Sequence, residues 1–368
     1  MSTIFDALLN ALLFPLDPER RIYWLFLLCS ALFAVVHLRF QASVLTRRNW
    51  RWSMVFSRRY WWHRSARIDY AMLFINAIIG ASIMAPLLGS SLALTVALQP
   101  TMHAVLSLDI FGDSTPRLQL PTGAIIAIFS MTAFLAEDAS RYWLHRLMHR
   151  NYWLWQFHRV HHSAEVLNPV TLYRIHPVEM LLFRAREVMV CGSLGALFMT
   201  LYPGQIREWE ILGTGLFNFV FNIAGANLRH SPVPLRFGSI ERWFVSPAQH
   251  QLHHSIEPHH QQSNFGSNLA VWDRVFGSWA GSERNQQINI GLRTPLPQTL
   301  LAQYTKPIAD LLKGLARQRA YPDRFLFPGS HGQHPTQAGT LVSRRHTNPI
   351  KASTQNAAPV QNVDETPY

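Results

Sequence analysis

Long apolar runs alternate with polar, arginine-rich segments over the first two thirds of the chain. Residues 22–36 carry no charged side chain, and residues 70–98 are apolar apart from Asn76 and a few Ser and Thr. Shorter apolar runs cover residues 123–136, 188–202 and 209–224. Because a helix needs about 20 apolar residues to cross a bilayer, the pattern predicts an all-α, multi-pass integral membrane protein with four to six membrane helices.

The two longest runs decide between a membrane protein and a soluble one. Buried helices of a soluble core remain the alternative for the three shorter runs. Pro86 and Gly89 predict a tilted or re-entrant segment inside residues 70–98. Composition agrees with a membrane protein, since only 15% of the 368 residues are charged, against about 25% in soluble domains. Residues 1–18 lack a basic start and include Asp6, which does not fit a cleavable signal peptide.

The net charge of +12 is concentrated next to the apolar runs. The loop between the first two runs contains Arg39, Arg47, Arg48, Arg51, Arg58, Arg59, Arg64 and Arg67. Residues 99–122 hold Arg117 against Asp109 and Asp113. By the positive-inside rule the first loop is cytoplasmic, and its basic side chains are expected to meet anionic lipid rather than nucleic acid. The segment that follows residue 136 then lies on the cytoplasmic side.

Histidines supply the candidate chemistry. His145 and His149 form H-x-x-x-H, and the pattern H-x-x-H-H occurs twice, as His158, His161 and His162 and again as His250, His253 and His254. Residues three and four apart share a helix face, so each motif presents several imidazoles to one point. His176 and His230 are further candidates. Eight to ten nitrogens exceed what one metal ion takes, which predicts two ions, and nitrogen ligands suit zinc, copper, iron or nickel.

Other metal classes fit less well. A closed structural zinc site needs four ligands, and no H-E-x-x-H motif of a zinc protease is present. Carboxylate-bridged di-iron bundles carry Glu-x-x-His on two helices, whereas the only match here is Glu257 with His260, interrupted by Pro258. Cys29 and Cys191 are isolated within apolar runs and form no thiolate site.

Ligand histidines need acceptors that orient their rings. Asp138 precedes His145 by two helical turns, and it is either such an acceptor or a charge at the end of a membrane helix. Glu179 follows His176 closely and is either an acceptor or part of a surface ion pair. Asn264 is expected to cap a helix or orient a ligand. His259 lies with His260 in a loop, where solvent exposure is the simpler expectation.

Taken in order, these motifs resemble the fatty acid hydroxylase / sterol desaturase superfamily. The segments that carry the resemblance are "HRLMH", "HRVHH", "HPVE", "GANLRHS", "HQLHH", "NFG" and "WDRVFG", spread over roughly residues 134–279. Many members have a histidine just before the "N-L" segment, where this chain has Gly225 and Ala226. His230 is expected to supply that ligand instead.

The resemblance implies a membrane-bound, non-haem di-iron oxygenase with its histidines on a cytoplasmic helical cap. Such enzymes use O2 and two electrons to hydroxylate or desaturate a lipid C–H bond. The sequence has no haem-attachment, dinucleotide-binding or iron–sulfur motif, so the electrons are expected from a separate reductase or carrier protein. Aromatic residues near the motifs either line a lipid slot or anchor helices at headgroup level; they are Tyr142, Trp143, Tyr152, Trp153, Trp155 and Phe157.

The expected domain order follows from these segments. Membrane helices and the basic loop occupy residues 1–122, the catalytic domain 123–285, a helical extension 286–328 and a disordered tail 329–368. A bacterial inner membrane is a better expectation than the endoplasmic reticulum. Two competing classes are a membrane metal transporter or store, which needs polar residues within the spans, and a bis-histidine haem protein, which needs histidines facing the spans.

Overall fold

The protein is mostly helical in the ranges that the computed structural model describes, which are residues 2–44, 57–107, 120–205, 216–283 and 288–320. In these ranges no β-strand forms, and only isolated bridges join Phe244 to Leu269 and Ser255 to Ile290. This confirms the helical class. The predicted tail, with His331, His334 and His346, and the loop residues Arg47, Arg48 and Arg51 lie outside the described residues.

The α-helices are numbered in chain order. They are α1 (Ser2–Leu13), α2 (Trp24–Val44), α3 (Arg58–Trp61), α4 (Arg64–Ile79), α5 (Ala85–Leu88), α6 (Ser91–Ser107), α7 (Thr122–Arg150), α8 (Tyr152–His162), α9 (Pro177–Leu201), α10 (Leu216–Ile223), α11 (Pro247–His253), α12 (Pro258–Gln261), α13 (Val271–Val275) and α14 (Leu300–Ala320). Short 3₁₀ turns cover Phe14–Leu16, Pro169–Tyr173, Ala226–His230 and Gly238–Arg242, and a π-helical turn covers Gly80–Met84.

Two helical segments of the described chain are long and apolar enough to cross a membrane, Arg64–Leu106 and Thr122–Arg150. In their most apolar windows only 22% and 28% of the residues are buried inside the protein, so most of these residues are at least partly accessible at its surface. Ile4–Leu16 and Trp24–His37 are apolar but shorter. The first predicted span, residues 22–36, lies largely in α2, whose apolar part is Trp24–His37. Four to six spans remain a prediction.

The longest apolar run is not one straight helix. A π-helical turn follows α4, and α5 ends at Gly89, whose φ of 64° and ψ of −149° are accessible to glycine and unfavourable for other residues. Helix α6 then begins at Ser91. The sequence placed an irregularity around Pro86 and Gly89, and the structure breaks the run at Gly89.

A close crossing of α6 and α9 depends on a glycine. A Cβ atom added to Gly192 would lie 2.9 Å from the Leu94 side chain, and the Thr95 hydroxyl donates a hydrogen bond to the Gly192 carbonyl at 3.1 Å. Small residues let helix backbones approach closely when both helices are apolar. Helix α9 also packs against α7, which joins α6 to the helix that carries His145 and His149.

Asn151 sets the turn between the two helices that bear the first histidine motifs. It closes α7 with an extended backbone (φ −95°, ψ 121°), and its side chain accepts hydrogen bonds from the backbone N–H groups of Trp153 and Leu154 at the start of α8. Asn is a favoured N-cap because its oxygen satisfies these otherwise free donors. A single residue thus redirects the chain and lets the histidines of α7 and α8 face one another.

Candidate metal centre

Nine histidines converge in two adjacent groups inside the helical body. The first group contains His145, His149, His158, His162 and His253, and the second contains His161, His230, His250 and His254. Within each group one ring nitrogen from every residue lies within 4.8 Å of the others. The groups touch, since the rings of His162 and His254 stack with centroids 4.5 Å apart.

Each H-x-x-H-H motif contributes two histidines to one group and its middle histidine to the other group, and the groups are exchanged between the two motifs. On α8, His158 and His162 are one helical turn apart with Nε2 atoms separated by 3.2 Å, and both belong to the first group. At α11, His250 and His254 stand 3.2 Å apart in the same way but belong to the second group. The middle histidine of each motif crosses over: His161 joins the second group and His253 the first. Each helix therefore holds parts of both groups.

The tautomers of His145 and His253 indicate that the first group binds a cation. His145 Nδ1 lies 2.8 Å from the Phe265 carbonyl, and His253 Nδ1 lies 2.7 Å from the Ser263 carbonyl. A carbonyl only accepts, so each Nδ1 carries the proton and each neutral ring turns a lone pair outwards from Nε2. These Nε2 atoms face one another at 3.0 Å. Two lone pairs cannot hydrogen-bond, whereas two nitrogens at right angles around one metal ion, each about 2.1 Å from it, would be about 3 Å apart.

A carboxylate fixes a third ring. His158 Nδ1 donates to Glu179 Oε1 at 2.8 Å, with both side chains only 3% exposed. Carboxylate–histidine contacts of this kind orient metal ligands and increase their basicity. Of the two interpretations of Glu179, the structure supports the ring acceptor over the surface ion pair.

Burial keeps the imidazoles neutral, as metal binding requires. It lowers the pKa of His158 to about 3 and, with help from the nearby His158, also lowers the pKa of His161 to about 3. It holds the pKa values of His253 and His254 well below the ordinary value. Aromatic rings complete the enclosure: Phe265 is fully buried, and the Trp155 ring centroid lies 4.9 Å from that of His149.

His230 belongs to the second group, as the sequence proposed. Its Nε2 lies 3.0 Å from His250 Nε2. The turn Ala226–His230 begins after Gly225, whose φ of 87° is left-handed. Gln251, on α11, holds this turn by donating from its side-chain amide to the carbonyls of Leu228, Ser231 and Val233 at 2.8–2.9 Å.

His176 lies outside both groups, unlike its expected role as a ligand. It is the N-cap of α9, where its Nδ1 accepts from the Val178 N–H at 3.1 Å and its Nε2 donates to the Tyr304 carbonyl at 3.1 Å. Both ring nitrogens are therefore engaged by the backbone. We leave His176 out of the ligand set.

Asp138 supports the site through a loop rather than through a histidine. Its carboxylate accepts from the backbone N–H groups of Asn268 and Leu269 at 3.0 Å and from Trp272 Nε1 at 2.9 Å. Neither earlier interpretation of Asp138 describes this role.

Asn264 lies in the loop that also contains Asn268 and Leu269, and its φ is 55°. Its side chain donates to the Gln249 carbonyl and accepts from the Ala280 N–H. His259 is exposed, as expected, and His260 is partly exposed.

Several groups that orient the histidine rings were not predicted from the sequence. The carbonyls of Ser263 and Phe265 leave no signal, because every residue has a carbonyl. Asp273 did leave one, since it is the acid of "WDRVFG": its carboxylate accepts from the N–H groups of Phe265 and Gly266 at 2.8 Å and so fixes the carbonyl that orients His145.

The aromatic residues near the motifs differ in their exposure, and their expected roles stay predictions. Tyr142 and Phe157 are buried, whereas Trp143 and Tyr152 are 49% and 42% exposed.

Two helical segments long and apolar enough to cross a membrane, together with two groups of buried imidazoles, indicate a membrane-type protein with a candidate two-metal site. Residues 130–278 match the sequence model of the fatty acid hydroxylase family, which supports the resemblance to the fatty acid hydroxylase / sterol desaturase superfamily. All nine clustered histidines fall within the matched residues.

Three relatives illustrate the range of the family. Ornithine lipid hydroxylase OlsE of Rhizobium tropici is 27% identical over 227 residues, which is 61% of this chain and 61% of that protein. Alkylglycerol monooxygenase of Danio rerio is 29% identical over 45% of this chain and 33% of its own length. Lathosterol oxidase of Rattus norvegicus is 27% identical over 46% of this chain and 50% of its own. The chain thus spans less than two thirds of each relative. No solved structure matches it.

Proposed function

We propose that the chain is a membrane-bound lipid oxygenase that hydroxylates, or desaturates, a C–H bond of a lipid with O2 and electrons from a separate reductase or carrier protein. The two groups of inward-facing imidazole nitrogens are the observation that carries the proposal. The named relatives are a lipid hydroxylase, a monooxygenase and a sterol oxidase. The first two names favour hydroxylation, in which the lipid and O2 with two electrons and two protons give the alcohol and water.

The donor set fits two iron ions. His145, His149, His158, His162 and His253 would hold one ion, and His161, His230, His250 and His254 would hold the other. When bound, the pair would supply the activation of O2 that an unactivated C–H bond requires. Imidazole is a suitable ligand for iron, and four to five nitrogens in each group leave room for a further ligand on a six-coordinate ion.

The protein's own contribution is orientation and exclusion of water. The carbonyls of Phe265 and Ser263 and the carboxylate of Glu179 hold three Nδ1 protons, which directs each Nε2 lone pair inwards. Burial in a site of low polarity strengthens these interactions. The rings of Phe265 and Trp155 cover the first group and keep solvent from it.

The placement of basic residues supports a cytoplasmic site, and we propose a multi-pass topology on that basis, in a bacterial inner membrane. Arg58 and Arg64 lie at the start of the first candidate span, and Arg146 and Arg150 at the end of the second. Both ends reach the histidine side of the protein, because Ser65, next to Arg64, accepts a hydrogen bond from the Glu165 N–H just after α8. We also retain residues 123–285 as the catalytic domain and 286–328 as its helical extension.

Metal analysis of purified protein, combined with lipid analysis of cells, tests the proposal. We expect two irons per chain, no Soret band, and a lipid that gains an oxygen atom or loses two hydrogens only when the protein and its electron donor are present. His253→Ala and His161→Ala should each abolish oxidation and reduce bound iron, while His259→Ala, which changes an exposed imidazole, should do neither. Active protein without a transition metal would overturn the proposal.

A further inference from the structure

Helix α14 presents an apolar stripe that no other part of the described protein covers. Leu301, Ile308, Leu312 and Leu315 are 72%, 45%, 60% and 41% exposed. At 3.6 residues per turn these four side chains fall within roughly 60° of the helix circumference. Scattered exposed leucines are ordinary on a protein surface, but a continuous stripe along four turns marks an interaction surface.

The opposite face of α14 is attached to the helix that bears three metal-site histidines. Asp310 forms an ion pair with Arg159 of α8. At Gly314 an added Cβ would lie 2.9 Å from the Tyr152 ring, so the two helices approach closely there. Gln303 is fully buried and accepts a hydrogen bond from Ser163, one residue beyond α8. The stripe therefore faces away from the body of the protein.

The start of α14 is also tied to a candidate membrane span. The Tyr304 hydroxyl donates to Asn76 Oδ1 of α4 at 3.1 Å. An apolar groove between the two helices is lined by Ile75, Ile79, Leu300, Leu301 and Tyr304. The stripe on α14 is thus continuous, through Leu301, with apolar surface on α4.

Charge indicates what the stripe meets. The sequence of α14 contains Lys306, Lys313, Arg317 and Arg319 but Asp310 as its single acid. A helix with an apolar face, an excess of basic residues and low net hydrophobicity is typical of segments that lie in the plane of a membrane surface. Anionic headgroups would attract the basic residues.

We propose that α14 lies in the bilayer surface with Leu301, Ile308, Leu312 and Leu315 among the lipid chains, and that its attachment to α8 fixes the depth of the histidine groups relative to the membrane. The helix lies beyond residues 130–278, which match the family. The inference requires a membrane location but does not depend on oxygenase activity.

Site-specific photo-crosslinking of the full chain in its own membrane tests this contact. A benzophenone amino acid at position 312 should form adducts with lipid, detected by mass spectrometry after protease digestion. The same probe at position 313, which is exposed but points about 100° away, is the matched control and should lose the lipid adduct. Both substitutions are at the surface, so folding is preserved.

The outcomes separate the alternatives. Crosslinks from position 312 to a second copy or to another protein would show a protein interface and overturn the proposal, as would equal lipid labelling at 312 and 313. Reconstitution adds a second measurement: labelling at 312 should be greater in phosphatidylglycerol nanodiscs than in phosphatidylcholine nanodiscs, and Lys313→Gln should reduce that difference. None of these measurements involves turnover, so failure here leaves the proposed function intact.

Discussion

His158 and Glu179 form a buried pair, with Nδ1 and Oε1 2.8 Å apart, that joins α8 to the first turn of α9. The contact links the carboxylate of "HPVE" with the first histidine of "HRVHH", two segments that are separate along the chain. The acid of the "HPVE" segment therefore orients the ring of His158, while the histidine of the same segment, His176, caps the helix.

Removing this carboxylate should weaken metal binding. We expect Glu179→Leu to reduce iron affinity by about 10–100-fold, because the ring of His158 loses the acceptor that orients it. Glu179→Gln keeps an oxygen acceptor and should retain more iron. Plasma mass spectrometry after dialysis against a chelator measures the iron bound per chain. The iron content should decrease from wild type to Glu179→Gln to Glu179→Leu.

Glu187 provides the matched control, since it lies on the same helix in a partly exposed ion pair with Arg184. Glu187→Leu should leave iron content unchanged. Equal iron in wild type and Glu179→Leu would contradict a positioning role for Glu179.

A substitution at Gln251 should weaken metal binding by the second histidine group without removing metal from the first. The Gln251 amide donates to three carbonyls of the segment that contains His230. Gln251→Leu removes the donor of the buried Ser231 carbonyl, at a cost of about 1–3 kcal/mol, and should displace His230. The carbonyls of Leu228 and Val233 lose one donor but still accept from Ser231 Oγ and the Leu235 N–H. We expect iron to fall from two towards one per chain.

The control for Gln251 is Gln262→Leu, because the Gln262 amide makes only a 3.4 Å contact with the His149 carbonyl. It should keep both irons. If Gln251→Leu removed both irons to the same extent, the two groups would not be independent sites.

Helical periodicity accounts for what the sequence predicted about the site. The i, i+3 and i+4 spacings placed eight histidines near one another, and the structure brings the same eight together, with His230 as the ninth. Their division into two groups could not be predicted, because it depends on the angle at which α8 and α11 meet. Metal binding itself stays a prediction.

His176 shows how one local pattern can indicate two roles. It directly precedes Pro177, and proline is favoured in the first turn of a helix, so "HP" is also the signature of a helix start. The structure uses the ring as the N-cap of α9. Asp138 is a different case, because its seven-residue spacing from His145 correctly put both on α7 but could not show that backbone N–H groups of a distant loop would reach the carboxylate.

A buried ion pair should stabilise the loop that follows α8. Arg174 Nε lies 3.3 Å from Asp69 Oδ1, and both side chains are fully buried. Removal of one partner leaves an uncompensated charge, so Asp69→Leu or Arg174→Leu should cost about 3–5 kcal/mol. The double variant should cost less than the sum. Thermal unfolding in detergent, followed by circular dichroism, measures the difference.

The partly exposed pair of Arg184 and Glu187 is the control, because surface ion pairs contribute only about 0–1 kcal/mol to stability. Arg184→Leu should leave the melting temperature nearly unchanged. Additive effects of Asp69→Leu and Arg174→Leu would show that the two charges do not interact.

The crossing of α6 and α9 should tolerate a larger residue at 192 only when its neighbour becomes smaller. A Cβ at Gly192 would be 2.9 Å from both Cβ and Cδ2 of Leu94. Since Cβ moves only with the backbone, Gly192→Ala should separate the helices and destabilise the protein by about 1–3 kcal/mol. Leu94→Ala removes the Cδ2 and Cγ contacts but not the Cβ contact, so the double variant Gly192→Ala/Leu94→Ala should recover part of the loss in thermal unfolding. Gly123 has no atom within 4 Å of an added Cβ, and Gly123→Ala should not destabilise. A double variant less stable than both single variants would show that Leu94 is not the obstacle.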